Sequence, residues 1–197
     1  MYTPLLTPAR RVRHLPDHYF SHVQTSDKML FALDLAYRMR EAGYTPVAAT
    51  VTGSTLRGLD TPDSDMDGTV VVLDKKVDGT LLGPDVAVVT LDKFFHSLTT
   101  SLPFVEVQRS PFLLVDPRYK AFFASMRVDK YRLDAHARTM ARRRMNMDDG
   151  DTWKAHRQLV GMWHTLTTGS PLVPRDFINP ECVPPEFVGW VKTVRGR

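Results

Sequence analysis

The sequence has little cysteine and no long apolar run, and both absences narrow the class of protein. Cys182 is the one cysteine in 197 residues, so an internal disulfide is excluded. No apolar stretch approaches the roughly 20 residues that a membrane-spanning helix needs. Basic residues near the N-terminus (Arg10, Arg11 and Arg13) are not followed by an apolar stretch, which argues against a secretory signal. We therefore expect a cytoplasmic protein without membrane partners.

The charge is unevenly distributed along the chain. Charged residues make up 24% and hydrophobic residues 43%, as in an ordinary globular protein, and the formal net charge is only +4. The segment 118–144, however, has nine Lys and Arg residues against two acidic ones, a net charge of +7. Such a segment attracts the phosphates of a nucleotide or a nucleic acid, although a solvated helical face shows the same composition. It is a candidate surface for a nucleic-acid partner.

Hydrophobic periodicity predicts three strands followed by helices. The strands are expected at 47–52, 69–73 and 86–91, and the main helices at 26–43, 92–100, 134–147 and 152–168. The apolar face of the first helix is expected to contain Leu30, Leu33, Ala36 and Tyr37. The proline-rich tail from Pro171 is expected to wrap the surface.

The order of these elements predicts an α/β (α+β) protein in three parts. An N-terminal arm (1–25) precedes a core of a small mixed sheet flanked by helices (26–115). A helical C-terminal region (116–197) is expected to pack on this core.

The segment GSTLRGLDTPDSDMDG, residues 53–68, has the strongest chemical signal. Gly53 and Ser54 follow a buried strand and open a short helix, where backbone N–H groups and the hydroxyl favour an anion. Asp65 and Asp67 begin the next strand, and residues two apart on a strand share a face at about 6.6 Å. Two such carboxylates can bracket a pair of cations about 3.5–4 Å apart. Either half of the motif alone is common in turns, but together they predict a phosphate beside Mg²⁺ or Mn²⁺.

This segment resembles the signature of the DNA-polymerase-β-like nucleotidyltransferases, in which Gly-Ser, a variable loop and Asp-x-Asp follow one another. It is more similar to a set of predicted nucleotidyltransferases of bacteria and their phages. The matching loop positions are Gly53, Ser54, Gly58, Thr61, Pro62, Ser64, Asp65 and Asp67. Weaker matches downstream are Asp85, Leu91, Lys93, Phe94, Pro103, Glu106, Lys154, His156, Arg157 and Gly169. The resemblance covers residues 47 to about 175.

The resemblance implies transfer of a nucleoside monophosphate from an NTP such as ATP to an acceptor hydroxyl. It also implies a catalytic and metal-binding carboxylate triad in which Asp85 joins Asp65 and Asp67. Asp92 and Glu106 stay open as alternatives, because spacing does not locate the third carboxylate. Asp85 is favoured because it opens a strand, as Asp65 does. The predicted nucleotide-binding residues are Gly53, Ser54, Arg57, Ser64 and Lys93.

The acceptor is left open by these residues. An RNA or tRNA 3′ end suits the basic segment 118–144, and a protein hydroxyl, as in antitoxin-like adenylyltransferases, suits the small size. A non-catalytic nucleotide-binding regulatory module is the third interpretation. An aminoglycoside-like acceptor needs an acidic pocket, and the cluster Asp148, Asp149 and Asp151 is expected to be a solvated loop instead. Only 17 residues separate Asp67 from Asp85, fewer than the resemblance leads us to expect.

Overall fold

A four-stranded mixed sheet lies at the centre of the computed structural model, which describes residues 24–60, 64–98, 100–147 and 152–196. Its strands are β1 (Pro46–Val51), β2 (Gly68–Val72), β3 (Val86–Thr90) and β4 (Leu114–Val115). The order is β3-β2-β1-β4, with β1 antiparallel to β2 and β4, and β2 parallel to β3. The predicted mixed α/β class is confirmed, and the three predicted strands begin and end within one residue of the observed ones. The two-residue β4 was not predicted because it is too short to show a period.

Helices surround this sheet and form the C-terminal part of the structure. They are α1 (Thr25–Glu41), α2 (Gly53–Arg57), α3 (Leu91–Leu98), α4 (Leu102–Gln108), α5 (Lys120–Ser125), α6 (Lys130–Met145), α7 (Thr152–Thr168) and α8 (Pro185–Arg195). Short 3₁₀ turns occur at Pro117–Tyr119 and Arg175–Ile178. The helix α6 begins four residues before its predicted start, because the Asp129 side chain caps it by accepting from the N–H groups of Tyr131 and Arg132.

The strands are apolar throughout because both faces of the sheet are covered. Val70 and Val72 pack on one face with Ala32, Leu35 and Met39 of α1. The alternate residues Val71 and Val89 lie in a second cluster with α3, α4 and the C-terminal helices. Two cores, one on each side of the sheet, therefore hold the strand ends in place.

The predicted apolar face of α1 was wrong. The structure buries Lys28, Ala32, Leu35 and Met39, and it leaves Leu30, Leu33 and Tyr37 exposed. Both sets have helical spacing, so periodicity alone could not choose between them. The buried face packs against Ala49 of β1 and against Val70 and Val72 of β2.

The proline-rich tail does not only wrap the surface, because its last part is the helix α8. Phe187, Val191 and Val194 of this helix are buried in the core. Pro184 and Pro185 lie at the start of α8, where proline does not interrupt helical hydrogen bonds. Among the described residues, no helix has the length and apolar character that crossing a membrane requires.

Candidate active site

The ends of three strands bring the motif residues to one edge of the sheet. Because β1 is antiparallel to β2, the end of β1 meets the beginning of β2, and the Thr52 N–H donates to the Asp67 carbonyl at 2.8 Å. Because β2 and β3 are parallel, they begin at the same edge, and the Gly68 N–H donates to the Asp85 carbonyl at 2.9 Å. Gly53, Asp67 and Asp85 are therefore neighbours.

Gly53 lies directly against the Asp67 side chain. Its φ of +64° is in the left-handed region, which favours glycine. A Cβ atom at this position would overlap the carboxylate of Asp67. Glycine is thus required twice, by the backbone turn into α2 and by the space that the carboxylate occupies. The predicted phosphate site and the predicted metal site share this contact.

The three predicted carboxylates influence one another electrostatically. Burial raises the pKa of Asp67 above its ordinary value, and the charges of Asp85 and then Asp65 raise it further. The positive charges of Arg57 and Lys154 oppose this rise in pKa. Asp65 and Asp85 are exposed, whereas Asp67 is partly buried. An ionised Asp67 is therefore held in an environment of excess negative charge, which a bound cation would relieve.

The donor set fits an open magnesium site. Within the described part of the chain, no three His, Cys, Asp or Glu side chains converge into a preformed metal cage. Mg²⁺ does not need such a cage, since it binds one or two carboxylates and completes its octahedron with waters and substrate phosphates. The side chains of Asp65, Asp67 and Asp85 are carboxylates, the type of ligand that Mg²⁺ prefers.

The structure separates the rivals for the third carboxylate. Asp92 is exposed on α3, beyond the far end of β3, and lies 3.3 Å from the Nδ1 atom of His96. Glu106 is buried on α4 and accepts two hydrogen bonds from Arg57. Of the three candidates, only Asp85 is brought to Asp67.

A cavity of about 440 Å³ opens between α2 and α7 beside these carboxylates. Its lining residues are Gly53, Ser54, Arg57, Leu59, Ser64, Asp65, Asp67, Lys154, Arg157 and Gln158. Two acidic side chains from the segment before β2 and three basic ones from α2 and α7 thus line the same cavity. A larger apolar groove of about 600 Å³, between α1 and the β1–β4 edge, contains none of the motif residues.

The wall contributed by α7 was not predicted as part of the site. Lys154, Arg157 and Gln158 have spacings of three and four residues, so they share one face of the helix. The family resemblance included Lys154 and Arg157 but gave them no role. Polar residues at helical spacing on a helix that is otherwise buried are the signal that could have identified this wall.

The loop after α2 is anchored from both sides. The Leu59 N–H donates to the Ser54 carbonyl at 2.9 Å, and Arg157 Nη1 donates to the Leu59 carbonyl at 2.8 Å. Asp60 is fully buried, and its charge raises the pKa of Lys28 on α1 against the larger lowering that burial causes. These contacts fix the chain on its way from the phosphate end to the metal end of the motif.

The predicted nucleotide-binding residues do not all reach the cavity. Gly53, Ser54, Arg57 and Ser64 line it. Lys93 does not, because α3 follows the end of β3 whereas the site lies at its beginning, roughly 15 Å away along a five-residue strand. The motif positions 61–63 and the acidic cluster 148–151 lie outside the described residues.

The basic segment 118–144 is partly neutralised by neighbouring acids. Arg118 pairs with Asp116 at 2.8 Å, Arg132 with Asp129 at 3.5 Å and Arg138 with Asp134 at 2.6 Å. Arg144 is buried. Lys120, Arg127, Lys130 and Arg143 are exposed. Among the described residues of this segment, the cations that have no acidic partner at the surface therefore lie on α5, on α6 and in the turn between them, and Asp116 adds one neighbouring acid to the two within the segment.

The histidines of α7 have structural partners. His156 Nε2 lies 3.2 Å from the Phe177 carbonyl, and His164 Nδ1 lies 3.0 Å from the Ser170 carbonyl. Burial lowers the pKa of His156 to about 4, so it is neutral at neutral pH. Both rings connect α7 to the tail rather than to the cavity.

Comparison with known proteins adds no relative to this description. No protein-family model matches the chain, and no curated protein matches it. The function is therefore inferred from the residues and their arrangement.

Proposed function

We propose that this chain is a metal-dependent nucleotidyltransferase of the DNA-polymerase-β-like type, which transfers a nucleoside monophosphate from an NTP to an acceptor hydroxyl. The observation that supports it best is the contact between Gly53 and the Asp67 carboxylate at the edge of a cavity. A phosphate-binding turn and a cluster of carboxylates are thereby adjacent, as metal-assisted phosphoryl chemistry requires.

The carboxylates would hold the metals. Asp65 and Asp67 would each contribute oxygens, and Asp85 would complete the ligand set from the neighbouring strand. Bound Mg²⁺ supplies neutralisation of the charge that develops on the reacting phosphate. Asp85, which is exposed and whose charge raises the pKa of Asp67, would accept the proton of an arriving hydroxyl.

The cavity provides for the polyphosphate. Ser54 offers a hydroxyl and backbone N–H at one wall, and Lys154 and Arg157 offer positive charge at the other. A volume of about 440 Å³ is within the range of small-ligand sites, which is about 300–1,000 Å³. The pyrophosphate product would leave from this basic side.

Among acceptors, the exposed cations of 118–144 favour a nucleic acid, for example an RNA 3′ end. Lys120, Arg127 and Lys130 lie close together in sequence on α5 and the start of α6, and all are exposed. Exposed cations of this kind bind phosphate backbones without sequence preference.

The test is transfer of label from NTPs. The chain is incubated with Mg²⁺, each α-³²P-NTP in turn, and RNA, protein and small-molecule fractions of a bacterial lysate. We expect label in the RNA fraction, and none when the label is in the γ-phosphate, because that phosphate leaves with pyrophosphate. Label in protein instead would indicate an adenylyltransferase.

Two variants make the test specific. Asp65→Asn should abolish transfer, while Asp92→Asn, a substitution of an exposed carboxylate outside the site, should leave it intact. Mg²⁺-dependent NTP binding without transfer to any fraction would replace the enzyme proposal with a regulatory module. Absence of NTP binding would overturn both.

A further inference from the structure

A buried ion pair joins Arg57 of α2, which lines the cavity, to Glu106 of α4. Arg57 Nε donates to Glu106 Oε1 at 3.0 Å, and its Nη2 donates to Oε2 at 2.7 Å. The side chains are only 14% and 4% exposed. Glu106 also accepts a hydrogen bond from the Thr165 hydroxyl at 3.1 Å. The carboxylate is therefore fully engaged by α2 on one side and α7 on the other.

Arg57 also occupies the space beside Gly161 of α7. A Cβ atom at Gly161 would lie 2.7 Å from Arg57 Cδ and 3.0 Å from its Nε. The guanidinium is held by Glu106, so the arginine cannot easily move away. A glycine inside a helix is unfavourable relative to alanine, and the approach of Arg57 to the helix axis explains its presence here.

One face of α7 thus connects the cavity to the ion pair. Lys154 and Arg157 line the cavity, Gly161 contacts Arg57, and Thr165 contacts Glu106. Their spacings of three or four residues place all of them on the same side of the helix. Ser54 lies at the beginning of α2 and Arg57 at its end. The side chain of Arg57 therefore determines the distance between α7 and Ser54.

We propose that Arg57 and Glu106 are positioning residues, which fix the width of the cavity for the polyphosphate of an NTP. This inference rests on the proposed function. The carboxylates that would hold the metals lie just before β2 and β3, and Arg57 acts on Asp67 through its charge, which Glu106→Gln and Gly161→Ala both retain. Loss of the pair should therefore weaken NTP binding and leave turnover at saturation nearly intact.

Two variants perturb the pair in different ways. Glu106→Gln removes the charge and keeps the shape. Gly161→Ala keeps both charges but adds a methyl group where Arg57 lies. Gly189→Ala is the matched control, because Gly189 is inside α8 and no atom lies within 4 Å of its Cβ position.

The readouts are the dissociation constant of Mg²⁺–NTP by calorimetry, KM and kcat by label transfer, and the melting temperature. We expect Gly161→Ala and Glu106→Gln to raise the dissociation constant and KM about tenfold, the size typical of a lost supporting contact. The value of kcat should change much less. Gly189→Ala should bind NTP as the wild-type chain does.

Three outcomes would overturn the inference. If both variants bind NTP as tightly as the wild-type chain, the pair does not position the site. If kcat falls at unchanged KM, the pair acts only through the amount of folded enzyme. If the wild-type chain binds no NTP, the proposed function fails, and this inference with it. Should Glu106→Gln not fold, Gly161→Ala decides between the first two outcomes.

Discussion

At Asp67, binding chemistry and folding stability oppose each other. Burial and the charges of Asp85 and Asp65 raise its pKa, so the folded chain binds this proton more tightly than the unfolded chain. The stability contributed by the protonated form is fully present below the ordinary pKa of an aspartate. It is lost as the pH rises through the raised pKa. At neutral pH the ionised carboxylate therefore destabilises the metal-free fold.

We predict that Asp67→Asn abolishes transfer and also stabilises the metal-free protein at neutral pH. The amide removes the repelling charge but no longer ligates metal, so activity should fall at least roughly a hundredfold. The melting temperature in EDTA should exceed that of the wild-type chain at pH 8, and this difference should disappear in acid.

Asp65→Asn is the control, since Asp65 is exposed. It should lose activity with a smaller gain in stability. Added Mg²⁺ should raise the melting temperature of the wild-type chain and not that of Asp67→Asn. An Asp67→Asn protein with the same pH dependence of stability as the wild-type chain would contradict the raised pKa of Asp67.

Residues of the site differ in how well the sequence could predict them. Gly53, Asp65 and Asp67 lie within one short segment, where strand alternation and turn chemistry are local. Arg57 lines the cavity, but its partner Glu106 is 49 residues away, so the ion pair could not be anticipated from spacing. Lys93 was predicted from its distance in sequence to a strand, which does not indicate at which end of the strand it lies.

Among the elements, α8 shows how a composition bias can mislead. Five prolines after residue 170 indicated an extended tail, yet the last two precede a helix that fills the core. Phe187 has no exposed surface and packs edge-to-face against Trp163, with ring centroids 5.6 Å apart. Apolar residues at 187, 191 and 194 have helical spacing, and this signal was available in the sequence.

We predict that Phe187→Ala lowers the free energy of unfolding by about 3–5 kcal/mol, as truncation of a buried aromatic side chain does. The measurement is urea denaturation followed by tryptophan fluorescence and circular dichroism. Lys192→Ala, an exposed substitution in the same helix, is the control and should change little. Equal effects of the two substitutions would show that α8 does not belong to the core.

The helix α7 was predicted at its observed position, but its function was not. Its apolar residues were the basis of the prediction, and they pack away from the cavity. Its polar face contacts the loop after α2 through the hydrogen bond from Arg157 to the Leu59 carbonyl. These two residues are 98 positions apart in the sequence. Only the packing of the C-terminal helices against the sheet brings these segments together.

For the whole molecule, the distribution of charge determines where we expect a nucleic acid to bind. The net charge of +7 in 118–144 was read from sequence, but the structure pairs Arg118, Arg132 and Arg138 with acids. Such pairs depend on the positions of the side chains, which cannot be predicted from the composition of the segment. We expect a nucleic acid to contact the exposed cations at the junction of α5 and α6.

We predict that the chain binds single-stranded RNA with an affinity that falls steeply with salt. Each phosphate contact contributes about 0.7 to the slope of log K against log salt, so Arg127→Gln combined with Lys130→Gln should reduce the slope by roughly 1 to 1.5. Fluorescence anisotropy of a labelled oligonucleotide across a potassium chloride series measures it. Arg118→Gln, in which the replaced side chain is paired with Asp116, should change the slope little. If the double variant has the same salt slope as the wild-type chain, RNA does not bind at the junction of α5 and α6.

The pairing of β1 with β2 has a consequence for how such sites vary between proteins. Gly53 and Asp67 are held in contact by the register of two strands, not by the residues between them. Lengthening a flexible connection is inexpensive in general, about 0.6 kcal/mol for each doubling of its length. Insertions or deletions between Asp60 and Ser64 should thus be tolerated without moving the glycine or the carboxylate. The contact between the two strand ends, and not the number of residues between them, therefore fixes the relative positions of Gly53 and Asp67.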